Sequence, residues 1–207
     1  MEHSLRRYTE LPFVIDYLQT KQLVLLDPST WDDKNDSYFI KQYAKEKNAL
    51  STAALCLTEC HETYHHWSIF SNGTSGVCIE FNKEKFNNNI VGIENLKAKR
   101  VDYKAINILK TCPPTVDDLP FLKRYAFNAE NEFRLFWESE EPNHSIFKVS
   151  MPLSAIERII LSPWLPPSVA EHVKCTLKSI SGCSDIRIHR STLVENEDWK
   201  KLSHINA

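Results

Sequence analysis

Glu130, Glu132 and Arg134 recur at every second position of one short segment, Glu130-Asn131-Glu132-Phe133-Arg134. In an extended strand alternate side chains share a face, so this spacing lines up two carboxylates and a guanidinium while Asn131, Phe133 and Leu135 point the other way. Three charges on one face of a segment that continues as Leu135-Phe136-Trp137 fit the wall of a polar cleft. A carboxylate fixed in such a cleft stabilises positive charge or moves a proton, and Arg134 is the partner that orients it. The alternative is a solvated strand edge with a local Glu–Arg pair, which contributes under about 1 kcal/mol when exposed.

The elements that must position these groups are short. Leu11, Val14, Ile15 and Leu18 at helical spacing, with Pro12 suited to a first turn, predict a helix over 11–21. Strands are predicted at Leu23-Val24-Leu25-Leu26, from Ser51 to Thr58, from Gly76 to Phe81, and over about 98–103, 130–137, 146–150 and 157–161. Asp27 to Asp36 is dense in turn formers and predicts a long loop ahead of a helix from Tyr38 to Lys47. Glu62 to Ser71 reads as a helix or structured loop. A helix from Pro166 to Ser181, stopped by Gly182, precedes a strand at Ile186-Arg187-Ile188. Short strands with helices interspersed, but not in strict alternation, predict a single α+β domain over 1–207 around a curved, mainly antiparallel sheet with helices packed outside.

Composition narrows the function classes. With 207 residues, 42% of them hydrophobic, the chain can bury a core of its own. A formal net charge of −2 gives no global basic field for nucleic acid, which leaves only local recognition of such a partner. No apolar run approaches the roughly 18 residues a membrane span requires, and the start Met1-Glu2-His3-Ser4-Leu5-Arg6-Arg7 leads into polar sequence, so the expectation is a cytoplasmic protein with no membrane partner. Six scattered cysteines are expected to be reduced.

Several motifs that carry chemistry elsewhere are missing. There is no glycine-rich nucleotide fingerprint, no nucleophile elbow and no zinc-protease helix, and four glycines are too few for a phosphate loop, so a nucleotide would be held by side chains. Cys56 and Cys60 with His61, His65 and His66 lack paired-cysteine spacing, and no metal is expected. Asp32, Asp33, Asn35 and Asp36 lack the glycine and terminal glutamate of a calcium loop, which favours a turn or capping role.

Arg7-Tyr8, Trp31-Asp32-Asp33-Lys34-Asn35-Asp36, Trp67 ahead of Gly76-Val77-Cys78-Ile79-Glu80-Phe81, and Glu130-x-Glu132-Phe133-Arg134 occur in an order that resembles an uncharacterised bacterial domain family. That family is marked by L-Y-[RK]-Y, F-N-D-P-F, a W-to-G-x-C-[IL]-x-F stretch and E-x-E-[WYF]-R. The chain departs from it at Ser37, at Ile69-Phe70 and at Ser75. The same order of elements resembles the ADP-ribosyltransferase core: a first strand with a basic residue, a strand ending in Ser or Thr, and a late E-x-E strand.

This second resemblance implies an enzyme that takes NAD as substrate. It implies Glu132 as the carboxylate beside the ribose and Glu130 as the carboxylate serving the acceptor. It also implies Arg7, Tyr8, Thr58 and Trp67 as residues that bind NAD, with Arg7 on the pyrophosphate, Thr58 on a ribose hydroxyl, and Trp67 or Tyr64 stacking on nicotinamide. The acceptor would be a macromolecule, protein or nucleic acid, and the role that of a bacterial toxin or phage-defence effector with a neutralising partner. Two other readings remain open: a non-catalytic recognition or regulatory domain of the same fold, and a metal-dependent nuclease or hydrolase using the same carboxylates.

Overall fold

Short strands and short helices follow one another along the chain: β1 (Ser4–Glu10), α1 (Leu11–Thr20), β2 (Gln22–Leu26), α2 (Lys34–Lys47), β3 (Ser51–Thr58), α3 (Tyr64–Phe70), β4 (Gly76–Asn82), α4 (Lys83–Ile90), β5 (Leu96–Arg100), β6 (Asp102–Lys104), α5 (Ile106–Thr111), β7 (Leu122–Arg124), β8 (Glu132–Ser139), β9 (Ile146–Ser150), β10 (Ile156–Leu161), α6 (Pro167–Ser179), β11 (Ile188–Arg190) and α7 (Glu197–Lys201). This is a computed structural model, and it describes residues 4–71 and 73–204. The fold class is α+β with mainly antiparallel pairing. β10 pairs with β11 and β6 with β7 in parallel, while the ladders β4–β10, β2–β3, β2–β9, β3–β8 and β5–β8 are antiparallel.

The chain divides into two compact units, and each draws on separated stretches of sequence. The first comprises Met1–Leu5, Gln22–Glu59 and Lys83–Met151, and the second comprises Arg6–Lys21, Cys60–Asn82 and Pro152–Ala207.

In the first unit β8 lies between β3 and β5, antiparallel to both, with Thr58 opposite Glu132, Cys56 opposite Arg134 and Arg100 opposite Phe133. Its residues from Glu132 to Trp137 are all buried, on both faces. Helix α2 packs onto this strand system through Asp36, Ile40 and Tyr43, which fall on one stripe of the helix and are buried. Ile40, Tyr43, Ala54, Phe121 and Phe136 form the core there, with the Tyr43 ring edge-on to Phe136 at 5.3 Å.

In the second unit β4 pairs antiparallel with β10, which pairs with β11. Helix α1 buries Val14, Tyr17 and Leu18 and sets Tyr17 edge-on to Phe81 of β4 at 5.9 Å. A second core gathers Trp67, Cys78 and Ile160, with Tyr8 and Trp164 against it.

Four sequence expectations shift, the last strand among them, which lies at Ile188–Arg190 and not at Ile186-Arg187-Ile188. The predicted loop ahead of Tyr38 closes early, because Asp33 accepts from the backbone N–H groups of Asn35 and Asp36 and so starts α2 at Lys34. The single strand predicted over 98–103 splits at Val101, whose N–H turns to the carbonyl of Glu132, leaving β5 and β6. The strand predicted from 130 begins at Glu132, for a reason that bears on the site.

Candidate functional site

Asn131 breaks the alternation that the sequence suggested. Its φ of 43° is left-handed, a conformation asparagine tolerates better than most side chains, and it ends a 3-10 turn over Tyr125–Glu130. Glu130 therefore sits on the turn, not on the strand. Thr58 holds the break in place, its hydroxyl donating to the carbonyl of Glu130 at 2.6 Å and to that of Asn131 at 3.4 Å. The expected one-face alignment is replaced by a bend that still delivers both carboxylates to one cation.

That cation is Lys123, on β7. Strand β7 pairs in parallel with β6 and places Lys123 beside Tyr103. The ammonium lies 2.5 Å from Glu130 Oε2, 3.4 Å from Glu132 Oε2 and 3.7 Å from Asp36 Oδ2. Tyr103 adds a brace, since its hydroxyl oxygen accepts the Glu132 backbone N–H at 2.9 Å.

Arg134 completes the cluster and is fully buried. Its Nε and Nη2 donate to the two oxygens of Glu132 at 2.6 and 3.0 Å. Its Nη1 and Nη2 donate to the two oxygens of Asp36 at 2.8 and 2.6 Å. The remaining Nη1 proton goes to the carbonyl of Pro120 at 2.7 Å, so all five guanidinium protons are used. The Trp31 ring lies against the guanidinium carbon at 4.7 Å, which seals the clamp from above. Two forked pairs of this kind fix orientation as well as charge.

The titration of the carboxylates splits within this one cluster. Burial pushes Glu132 up, but Arg134 and Lys123 outweigh it and hold the carboxyl at about 2. Burial pushes Glu130 and Asp36 up as well, and in those two it outweighs their cations, Lys123 for Glu130 and Arg134 for Asp36. Three carboxylates against two cations leave a net charge of −1 when all five groups are ionised.

The second unit holds its own charges. Arg6 donates from Nε to Glu80 Oε2 at 2.9 Å and from Nη1 to the carbonyl of Cys60 at 2.5 Å, while Arg158 Nη2 reaches the same Glu80 oxygen at 3.0 Å. Neighbouring strand residues leave on opposite faces, so Arg6 shares a face with Tyr8 and Arg7 lies on the other. Tyr8 stacks on His66 at 5.4 Å and meets Trp67 edge-on at 5.1 Å. Trp67 is fully buried, with its indole N–H on Glu62 at 2.7 Å, and Ser191 donates to the same Glu62 oxygen.

Of the residues singled out in the sequence, Thr58, Glu130 and Glu132 thus fall in the first unit, and Arg7, Tyr8 and Trp67 in the second. Sequence reasoning missed Asp36, Lys123 and Arg6. Asp36 carried a signal, since it heads the α2 stripe that continues as Ile40 and Tyr43. Lys123 had none, because β7 is only three residues long. The six cysteines are free thiols. Among the described residues no three His, Cys, Asp or Glu side chains group as metal ligands, and no helix is long and apolar enough to cross a membrane.

No family model and no curated protein matches the chain. Among solved structures, Thermus sp. 2.9 DarT in complex with ADP-ribosylated ssDNA is similar to it at 12% sequence identity and a TM-score of 0.47, over 96% of this chain and 96% of that chain.

Proposed function

We propose that the chain is an ADP-ribosyltransferase-like enzyme that takes NAD as substrate and transfers ADP-ribose to a macromolecule, acting as a toxin or defence effector. The observation that carries this reading is the divided pair of buried carboxylates: Glu132 is held ionised at about 2, while Glu130, two residues away on the same lysine, is pushed up. Environments that drive two carboxyl groups apart suit them to different tasks.

The chemistry assigns those tasks. When the bond between nicotinamide and ribose C1′ breaks, its electron pair leaves with nicotinamide, which departs neutral, and the ribose becomes positively charged. An acceptor oxygen or nitrogen then attacks C1′ and gives up its proton. Glu132, desolvated, fixed by Arg134 and part of a cluster with excess negative charge, stabilises the ribose cation more than the ground state. Glu130, whose carboxylate binds a proton more readily, takes the acceptor's proton.

A second reading has an observation of its own. Both oxygens of Glu132 are already engaged by Arg134, as a buried structural clamp would have them. That reading makes the chain a non-catalytic recognition domain.

Incubation with NAD labelled in the adenylate, together with a cell lysate, separates the two once protein and nucleic acid fractions are resolved. Glu132→Gln should lower transfer of label by about 10²-fold or more, well beyond any loss in folded fraction measured by circular dichroism, and should relieve growth inhibition in cells. Absence of transfer by the unaltered protein, or a Glu132→Gln loss that only tracks the folded fraction, favours the recognition domain.

A further inference from the structure

A cleft of about 570 Å³ opens in the first unit between α2, α5 and β7. Its size falls within the range of about 300–1,000 Å³ typical of small-molecule sites. Lys34, Lys104, Lys110, Lys123 and Arg124 line it against only Asp33 and Asp36, an excess of three positive charges in a chain whose formal net charge is −2.

Both acids are already committed. Asp33 caps α2, and Asp36 is clamped to Arg134. The cations are less so. Lys104 pairs with Asp102 and Lys123 with the glutamates, but Lys34 reaches only the carbonyl of Trp31, and Lys110 and Arg124 are exposed with no carboxylate partner among the described residues. A concave wall with uncompensated cations concentrates anions.

The apolar lining selects among anions. Phe39, Ile106, Leu109 and Leu122 line the cleft together with Tyr38, which is 56% exposed. Apolar lining together with an exposed ring is unnecessary for a small inorganic anion and suits a flat ring joined to a charged group.

We infer that this cleft binds a nucleotide unit, with the base against Tyr38 and the apolar lining residues and the phosphate on Lys110, Arg124 and Lys34. This goes beyond the transferase reading. It concerns a cleft that shares Asp36 and Lys123 with the charge cluster but is not lined by Glu130 or Glu132. The nucleotide is either free or part of a single strand, and the two sources share the same recognition chemistry.

Fluorescence anisotropy with a labelled octathymidylate, competed by ADP and separately by polyglutamate, tests it on the full chain. The unaltered protein should bind in a salt-dependent way, and either ADP or unlabelled oligonucleotide should compete. The double variant Lys110→Glu, Arg124→Glu should weaken binding at least tenfold, and Tyr38→Ala several-fold. Lys148→Glu, an exposed charge reversal on β9 outside the cleft, should not. Competition by ADP assigns a free nucleotide, and competition by oligonucleotide alone assigns a strand. No binding by the unaltered protein, equal competition by polyglutamate, or an unchanged affinity in Tyr38→Ala would overturn the inference. None of these probes carries nicotinamide, so failure here and failure of label transfer from NAD are read independently.

Discussion

Two buried clusters, one in each unit, solve the problem of charge in a core differently. In the first, Arg134 spends every proton on Glu132, Asp36 and Pro120, and its side chain and those of its two acid partners are at most 4% exposed. In the second, two arginines share one oxygen of Glu80, Arg158 remains 34% exposed, and its buried Nε has no partner. The first is closed and carries excess negative charge; the second is open and carries excess positive charge. A saturated clamp fixes geometry, whereas an open one leaves a cation answerable to solvent. The contrast therefore locates preorganised electrostatics in the first unit.

Removing the central arginine breaks the comparison most directly. Arg134→Met leaves two desolvated carboxylates facing each other and should cost about 3–5 kcal/mol, the scale of orphaning a buried charge, as read from urea unfolding. If it costs no more than the change at Arg158, the two clusters are equivalent and the contrast fails.

Acid sharpens the comparison next. A carboxyl held at about 2 in the folded chain against 4.5 for the free side chain contributes stability that is fully present above about 4.5 and lost as the pH falls through about 2. The amount is roughly 3 kcal/mol. Urea midpoints taken between pH 6 and pH 2 should fall in the unaltered protein and fall less in Glu132→Gln. Glu130 has the opposite sign: its raised value makes the ionised form a burden, so Glu130→Gln should hold or gain stability at pH 7. A loss there comparable to that of Glu132→Gln would show that the two carboxylates are not divided.

Smaller effects follow from the backbone and the surface. Asn131→Val forces a branched side chain into the left-handed region and should cost about 1–2 kcal/mol, while Asn131→Gly should be nearly neutral. Equal costs would mean that the turn does not depend on that conformation. Arg158→Met should be the mildest, at under about 1 kcal/mol, because water already screens this arginine.

The sequence disclosed what local chemistry controls. Strand β3 and the start of α1 were legible because alternation and helical spacing are set by nearest neighbours, and both lie where predicted. The carboxylate–arginine segment was found for the same reason. What escaped depends on long-range closure. The capping role expected of the aspartate run is met locally by Asp33, but Asp36 reads as a loop residue until α2 docks, Lys123 belongs to a parallel pair too short to leave a period, and the bend at Asn131 is secured by Thr58, 73 residues away. Adjacent arginines in β1 could not be told apart until strand pairing decided which one meets Glu80.

The bridge from Asp36 to Arg134 spans 98 residues of sequence, which ties the assembly of the site to the timing of synthesis. At roughly 5–20 residues per second, Asp36 waits about 5–20 s after its own translation before its partner is made. For nearly all of that interval Glu130 and Glu132 do not yet exist, and α2 lacks the strand β8 that its buried stripe packs against. The charge cluster therefore forms among the last features of the first unit. A chain released before residue 130 carries Asp36 but neither Glu130 and Glu132 nor the arginine that clamps Asp36.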